Sequence, residues 1–290
     1  MKPLHTPNTL LLAVTFLAAG CASPGSSHPS PERDLAPLRS TLRRGVAWLA
    51  DRQAADGSWG SGVDTARAAR ALRMSDAPAA AERGTVRVRA NCARRPPETA
   101  EEAAWALDLD AGLSSARETL VRCQVTKDGD PADGGFSAAP PGAPDLRTTS
   151  QAARALGAFP GAPRAIAFVT RCQRPTGGFA GNPGVAHPDP ASTCDALIAL
   201  RGFGVPADDE RVKNALLWLR ANAPPGFSFR FLASLAAVWQ DLGGPPGWRE
   251  TLSARLLSRQ RADGSWVNDG EEMDPVVATA LALEALSCCR

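Results

Sequence analysis

The chain has 290 residues, of which 44% are hydrophobic and 21% charged, an ordinary balance for a globular protein with enough length for a sizeable core. The formal net charge is +2, and the basic residues are dispersed among acidic ones without forming a long block. Composition and charge therefore give no indication of a nucleic-acid partner.

The first predicted element is an export signal. Lys2 precedes an apolar stretch, TLLLAVTFLAAG, at residues 9–20, which is typical of a secretory signal and too short to span a bilayer. The ending LAAGC resembles the lipobox of bacterial lipoproteins, in which cleavage precedes a cysteine that then receives lipid. This resemblance implies that residues 1–20 are a signal peptide and that Cys21 is lipidated. A plain signal peptide with an incidental cysteine is the alternative.

The same resemblance implies an exported protein anchored to the cell envelope, at the periplasmic face or the outer membrane. Its contact with the membrane would be made through the lipid on Cys21. Residues 21–38 are rich in Ser and Pro and are predicted to form a flexible tether. The folded domain is predicted to cover residues 39–290.

A short motif recurs through this domain. RQAADGSWG at residues 52–60 returns as RQRADGSW at residues 259–266, and two further copies end in GGF. In two degenerate copies, Cys92 and Ala223 stand where the glutamine belongs. The motif residues are Gln53, Gly57, Trp59, Gln124, Gly135, Phe136, Gln173, Gly178, Phe179, Gly226, Phe227, Gln260, Gly264 and Trp266.

Each copy lies between two helix-like stretches, the second of which is rich in alanine. The Ala-rich stretches begin near Asp64, Thr99, Thr148, Ser192, Arg230 and Asp274. Six such pairs, without a convincing strand, predict an all-α (α/α)6 toroid with the Ala-rich helices forming the inner ring. A linear solenoid is the alternative, but strong motifs in both terminal units favour closure, because solenoid ends usually need atypical caps.

The motif is interpreted as a joint between successive units. Glycine lets the chain leave the outer helix through conformations that other residues resist. The aromatic residue buries a large surface against the neighbouring unit, and the glutamine amide can satisfy backbone groups at helix ends.

The arrangement L-x-x-x-Q-x-x-x-G-x-W resembles the QW motif of squalene and oxidosqualene cyclases, which protein prenyltransferase β subunits share in looser form. The resemblance covers residues 39–290 and implies a toroid whose ligand is apolar or isoprenoid. The D-x-D-D motif that supplies the proton in class II cyclases is absent, tyrosine is missing, and aromatic residues make up only 6% of the chain. The fold is thus indicated more firmly than a reaction.

Prenyltransferase β subunits also bind zinc through Asp, Cys and His. Residues 177–200 resemble the segment that carries the histidine ligand, but Ser192 stands at its position. Asp145, His187, Asp189 and Cys194 form the remaining candidate zinc set, since zinc accepts N, O and S ligands. No cofactor is predicted.

Acidic residues stand at or just before five of the six inner-helix starts: Asp64, Glu98, Asp145, Asp189 and Asp274. They are interpreted as helix caps, with the compatible alternative of an acidic collar at the cavity mouth for a cationic or polar group. If the protein is an enzyme, Asp145, Asp189 and Asp274 are the catalytic candidates.

Six cysteines follow Cys21, an even number that invites disulfides in an exported protein. Cys123 and Cys172 occupy matching positions on adjacent outer helices. The usual spacing of packed helices, about 8–10 Å, exceeds the Cα separation of a disulfide, about 7 Å at most. For this pair, buried free thiols are at least as consistent with the sequence as a disulfide.

The function predicted from the sequence is non-catalytic binding of a ligand or protein partner in the central cavity. A divergent terpene cyclase or prenyltransferase is the first alternative. A polysaccharide-active toroid is the second, because α/α toroids also occur among lyases and glycosidases.

Overall fold

The structure, a computed structural model, describes residues 35–223, 228–267 and 273–290. Cys21, Gly226 and Phe227 therefore lie outside the described residues. The described residues form twelve helices: α1 (Ala36–Asp51), α2 (Gly62–Met74), α3 (Pro78–Arg94), α4 (Ala100–Leu109), α5 (Ser114–Arg122), α6 (Leu146–Leu156), α7 (Ala162–Cys172), α8 (Pro190–Gly202), α9 (Glu210–Asn222), α10 (Phe229–Leu242), α11 (Trp248–Ser258) and α12 (Pro275–Cys288).

The prediction of an all-helical toroid is confirmed. The even-numbered helices form the inner ring, in which each contacts the next and α12 contacts α2. The odd-numbered helices pack outside them, and α1 contacts both α11 and α12. In the described part of the chain, β pairing is limited to isolated bridges in the loops. Helix α1 begins at Ala36, so the last three residues assigned to the tether are helical.

Small side chains bring the inner helices close together. Ala66, Ala68 and Ala69 on α2 are fully or almost fully buried. Helices α6 and α8 approach so closely that a Cβ added to Gly202 would lie 2.9 Å from the Cβ of Ala153. Because a large residue at such a contact would push the helices apart, the alanine content of the inner helices determines the radius of the ring.

All six inner helices begin with a capping residue whose side-chain oxygen accepts a hydrogen bond from a backbone N–H of the first turn. These residues are Ser61, Thr99, Asp145, Asp189, Ser228 and Asp274. Each cap contributes about 1 kcal/mol to the stability of its helix. The inner helices thus have well-defined starts at one end of the ring.

The motif forms the same joint in four units. The amide nitrogen of Gln53 donates to the carbonyl of Gly57 in its own loop, at 3.0 Å, and to that of Ala80 in the next outer helix, at 3.1 Å. The amides of Gln124, Gln173 and Gln260 make equivalent pairs of bonds. The glutamine therefore links one unit to the next outer helix.

The glycine of the joint is required by two constraints. Gly57 and Gly264 have positive φ, and a Cβ at either would lie 2.6 Å from a backbone oxygen of the next outer helix. In the third and fourth units Gly134 and Gly177 meet these conditions. The choice of Gly135 and Gly178 as their equivalents was wrong by one position, since those glycines instead pack against the aromatic rings of Phe168 and Trp218.

A threonine completes the joint and was not identified from the sequence. The backbone N–H of each joint aromatic residue donates to a threonine hydroxyl in the following inner helix, at 3.0–3.1 Å. The four threonines are Thr65, Thr149, Thr193 and Thr279. Each is buried, and each occurs at the start of an Ala-rich stretch, where the recurrence is visible in the sequence.

Cys92, Cys123, Cys172, Cys194 and Cys288 are buried free thiols, and Cys289 is buried as well. Burial raises the pKa of the Cys172 thiol to about 12 and that of Cys288 to about 11. These thiols are therefore protonated and act as small apolar side chains. None of the helices in the described ranges combines the length and apolar composition that a membrane crossing requires.

Candidate functional site

The centre of the ring contains a cavity of about 130 Å³ to which all six inner helices contribute. Its surface is rich in charge, although the helices that surround it are mainly apolar. Five arginines line it: Arg67 and Arg70 from α2, Arg147 and Arg154 from α6, and Arg230 from α10. The cavity is the candidate functional site.

Three of these arginines form a group near the inner-helix starts, which we call the mouth cluster: Arg67, Arg147 and Arg230, together with the acidic residues Glu101 and Asp195. Glu101 pairs with Arg67 and, at 3.3 Å, with Arg147. Arg67 also lies 3.6 Å from Asp64. One glutamate is thus shared by two guanidinium groups at the entrance.

Arg230 makes no ion pair or side-chain hydrogen bond with the residues that the structure describes, and it is half-buried. Burial and the positive charges of Arg147 and Arg67 lower its pKa to about 10. A guanidinium at this pKa still carries its charge at neutral pH. Arg230 therefore presents to the cavity a positive charge that Glu101 and Asp195 attract only at a distance, without an ion pair among the described residues.

Asp195 lies in the second turn of α8, and its side chain is partly accessible from the cavity. The hydroxyl of Ser150 donates a hydrogen bond to it at 3.2 Å. Burial raises the pKa of Asp195 to about 7, although this bond and the charge of Arg147 favour the ionised form. Near neutral pH the carboxyl group is thus divided between its protonated and charged forms.

A second group lies about one to two helical turns further from the starts, since Arg70 follows Arg67 on α2 by three positions and Arg154 follows Arg147 on α6 by seven. We call Arg70, Asp108, Arg154 and Glu284 the inner cluster. Arg70 pairs with Asp108 at 2.7 Å and with Glu284 at 2.5 Å. Burial disfavours the charge on Arg70, but Glu284 and Asp108 outweigh it and raise the pKa above its usual value. Arg154 has no such partner among the described residues. Its pKa is lowered because the surrounding helices displace water from the guanidinium and because Arg70 is nearby, although the side chain as a whole stays accessible.

The acidic residues predicted at the inner-helix starts lie outside the set that lines this cavity. Asp145, Asp189 and Asp274 accept backbone hydrogen bonds as caps. Asp64 accepts a bond from Ser61, and Glu98 lies 3.7 Å from Arg95. The three catalytic candidates are therefore engaged as caps, and the carboxyl groups inside the cavity belong to Asp195 and Glu284.

The candidate zinc residues are not brought together. Within residues 35–223, 228–267 and 273–290, no three His, Cys, Asp or Glu side chains are placed to hold a metal ion. His187 is exposed, whereas Cys194 is fully buried. Asp189 directs its carboxylate to the backbone N–H of Ser192.

The cavity residues were not identified from the sequence, although a signal was present. Arg67, Arg70 and Met74 are spaced by three and four positions along α2, as are Arg147, Gln151 and Arg154 along α6. Residues with this spacing share one face of a helix. Charged residues on one face of an Ala-rich helix that is predicted to be inside a ring indicate a polar centre.

We predict that Asp195→Asn changes how stability depends on pH. Because the folded-state pKa, about 7, exceeds the ordinary 3.8, the stabilisation by the protonated carboxyl is complete below about pH 4 and lost as pH rises through 7. The variant should not show this loss. At about 1.4 kcal/mol per pKa unit, the wild type should lose up to a few kcal/mol of unfolding free energy between pH 4 and pH 8 that the variant does not lose, and screening by solvent reduces this value. Urea unfolding at pH 4–8 measures this loss, and equal pH profiles of stability for the wild type and the variant would contradict the prediction.

Comparison with known proteins agrees with this architecture. No protein family model matches the sequence, and no curated protein matches it. Among solved structures, the type II terpene cyclase MstE from Scytonema is 17% identical, with a TM-score of 0.67 over 88% of this chain and 98% of that chain. A variant of MstE in complex with geranylgeranyl dihydroxybenzoate is 16% identical and has a TM-score of 0.68 over 88% of this chain and 97% of that one.

A protein from Actinoplanes is similar as well, with 20% identity and a TM-score of 0.65 over 87% of this chain and 99% of that chain. The chain therefore has the terpene cyclase-like α/α toroid fold. Identities in this range show the fold alone, and the function depends on the residues that line the cavity.

Proposed function

We propose that this protein is an exported, lipid-anchored binding protein whose toroid holds an anionic ligand at the mouth cluster. The observation that carries the proposal is Arg230, a half-buried guanidinium inside the ring that has no ion-pair partner among the described residues. Arg147 and Arg67 stand beside it and share Glu101.

The charge balance of the mouth cluster favours an anion. Its three arginines face Glu101, Asp195 and, beside Arg67, Asp64. The pKa of Asp195, about 7, leaves that carboxyl partly neutral at physiological pH. An anion would restore the balance and remove the repulsion between neighbouring guanidinium groups. Guanidinium groups bind carboxylate and phosphate through paired N–H···O bonds, which makes these groups the best matched ligands.

The size of the cavity limits the ligand. Its volume of about 130 Å³ resembles that of an engineered cavity of about 150 Å³ that accommodates benzene. Pockets for larger ligands usually exceed about 300 Å³. We infer that the cavity takes a small anion or the anionic head of a longer molecule whose remainder extends from the mouth.

An isoprenoid ligand fits the proposal as a longer molecule that places an anionic head in the cavity. The ligand of the MstE variant is named geranylgeranyl dihydroxybenzoate, an isoprenoid chain attached to an aromatic carboxylate. A ligand of this kind would place its carboxylate on Arg230 here. A protein partner would have to offer an acidic side chain or a C-terminal carboxylate to the same group.

We predict that Arg230→Gln weakens anion binding by about tenfold or more, because a hydrogen bond to a charged group contributes about 1.5–3 kcal/mol. Calorimetric titration of the Cys21→Ala chain with benzoate and with inorganic phosphate measures the effect. Arg89→Gln is the matched control, since Arg89 is paired with Asp110 on the outside of the ring. Equal affinity in the Arg230 variant and the wild type, or no binding of either anion, would reject the proposal.

Acid catalysis by Asp195 is a second candidate, favoured by the raised pKa of this carboxyl inside the cavity. A protonated carboxyl near neutral pH can donate a proton to a bound alkene. Turnover of squalene or geranylgeranyl dihydroxybenzoate that disappears in Asp195→Asn would establish this activity. Binding without turnover would support the non-catalytic function.

We predict that Cys21→Ala releases the protein from membranes, because the LAAGC sequence would no longer provide a thiol for lipid attachment. Membrane fractionation together with metabolic labelling by a radioactive fatty acid measures both effects. Serine at position 21 should behave in the same way. Unchanged labelling of the alanine variant would show that the lipid is attached elsewhere.

A further inference from the structure

A second pocket lies on the opposite face of the ring, where helices α8 and α10 end. Its volume is about 210 Å³. It shares Arg70, Arg154, Ile198 and Ala237 with the central cavity, so these residues lie between the two spaces. None of the residues of the mouth cluster lines it.

Most of the pocket wall is hydrocarbon. Leu197 and Ile198 on α8 face it from one side, and Val238 and Leu242 on α10 face it from the other. Leu197 and Val238 are almost fully buried, which anchors the wall in the core of the ring. An apolar group in this pocket would remove hydrocarbon surface from water, which contributes about 25 cal/mol per Å².

Three arginines line the pocket, and their partners differ. Arg70 pairs with Asp108 and Glu284. Arg201 pairs with Asp241 at 2.8 Å and donates to the carbonyl of Val205. Arg154, in the last turn of α6, makes no ion pair or side-chain hydrogen bond with the residues that the structure describes.

A guanidinium in the last turn of a helix interacts favourably with the helix dipole, which by itself explains a positive charge at this position. The dipole does not explain why Arg154 remains accessible beside an apolar wall and makes no hydrogen bond with the described residues. A cation without an ion-pair partner in that part of the chain, next to a hydrocarbon surface, is complementary to a molecule with one anionic group and one apolar body.

We propose that this far-end pocket binds a small amphiphilic anion, a short-chain fatty acid or an aromatic carboxylate. The carboxylate pairs with Arg154, and the hydrocarbon lies between α8 and α10. The site is separate from the mouth cluster and does not depend on Arg230, so the two sites can be tested independently.

Calorimetric titration of the Cys21→Ala chain with hexanoate tests the proposal. Acetate lacks the hydrocarbon chain and 1-hexanol lacks the charge. Each should bind at least about tenfold more weakly than hexanoate. Because hexanoate can also bind the mouth cluster through its carboxylate, all of these titrations use the Arg230→Gln background. In this background Arg154→Gln should weaken hexanoate binding by about tenfold.

Hexanoate affinity in the Arg230→Gln background that is equal with and without Arg154→Gln, or hexanoate binding that is absent from this background, would overturn the proposal. Binding of phosphate that depends on Arg230 alone would in that case still support the function proposed for the mouth cluster. If Arg154→Gln does not fold, Leu242→Ser replaces it as the test. That variant should lose affinity for hexanoate while phosphate binding is unchanged, and unchanged hexanoate affinity would overturn the proposal.

Discussion

Replacing Trp266 with alanine is expected to lower the free energy of unfolding by about 3–5 kcal/mol, the usual cost of removing a large aromatic side chain from a core. The Trp266 side chain is fully buried, and its indole N–H donates to the carbonyl of Leu256 at 2.8 Å. Its ring packs on Gly45 of α1, where an added Cβ would lie 2.6 Å from the ring. Trp266 therefore joins the last unit to the first.

Urea unfolding followed by circular dichroism measures this effect, with Trp59→Ala as a matched substitution within the chain. Trp59 occupies the equivalent joint between the first two units, donates to the carbonyl of Leu49 and packs on Gly84. A comparable loss of stability is expected for it. A loss below about 1 kcal/mol for Trp266→Ala would contradict a closing joint in the core.

A double-mutant cycle tests ring closure directly. Gly45→Ala should destabilise the wild type, because the new methyl group collides with the Trp266 ring. In the Trp266→Ala background the collision with the ring is absent, and only Leu283, 3.0 Å from the new Cβ, has to shift. The higher helix propensity of alanine should then stabilise α1 by up to about 1 kcal/mol. Strictly additive effects would indicate that the two residues are not in contact and that the ring is open.

Gly134→Ala is expected to cost about 3 kcal/mol or more. Gly134 has φ of 90°, and a Cβ there would lie 2.0 Å from the carbonyl oxygen of Arg164. Alanine would incur the cost of a left-handed conformation, about 1–2 kcal/mol, and would also displace the backbone of α7. The substitution should loosen the link between the third and fourth units.

Gly129→Ala is the matched control for this prediction. Gly129 lies in the same loop with φ of 81°, but a Cβ there would have no neighbour within 4 Å. Its replacement by alanine should therefore cost only the free energy of the left-handed backbone conformation. Thermal unfolding of both variants measures the difference, and equal losses would show that the approach of Arg164 contributes nothing to the requirement for glycine.

The positions of the helices and the joints follow from the sequence by itself. The glutamine and aromatic residues of the motif act locally, within a loop and against the next outer helix, so each copy carries most of its own structural information. Even so, the glycine was misplaced in two units, because Gly134 and Gly135 both precede Phe136. The G-x-W spacing of the two tryptophan copies matches Gly134, which stands two positions before Phe136, and the approach of the α7 backbone agrees with this choice.

The contents of the cavity were decided by the tertiary structure. Asp145, Asp189 and Asp274 lie at helix starts, where a carboxylate can always cap its own helix, so their positions had a local explanation that the structure supports. The charge of the centre depends instead on which side chains meet there from different inner helices. Arg147 on α6 and Arg230 on α10 are 83 positions apart in the sequence, and no local pattern connects them. Closure of the ring brings these charges together, and burial within it raises the pKa of Asp195 to about 7.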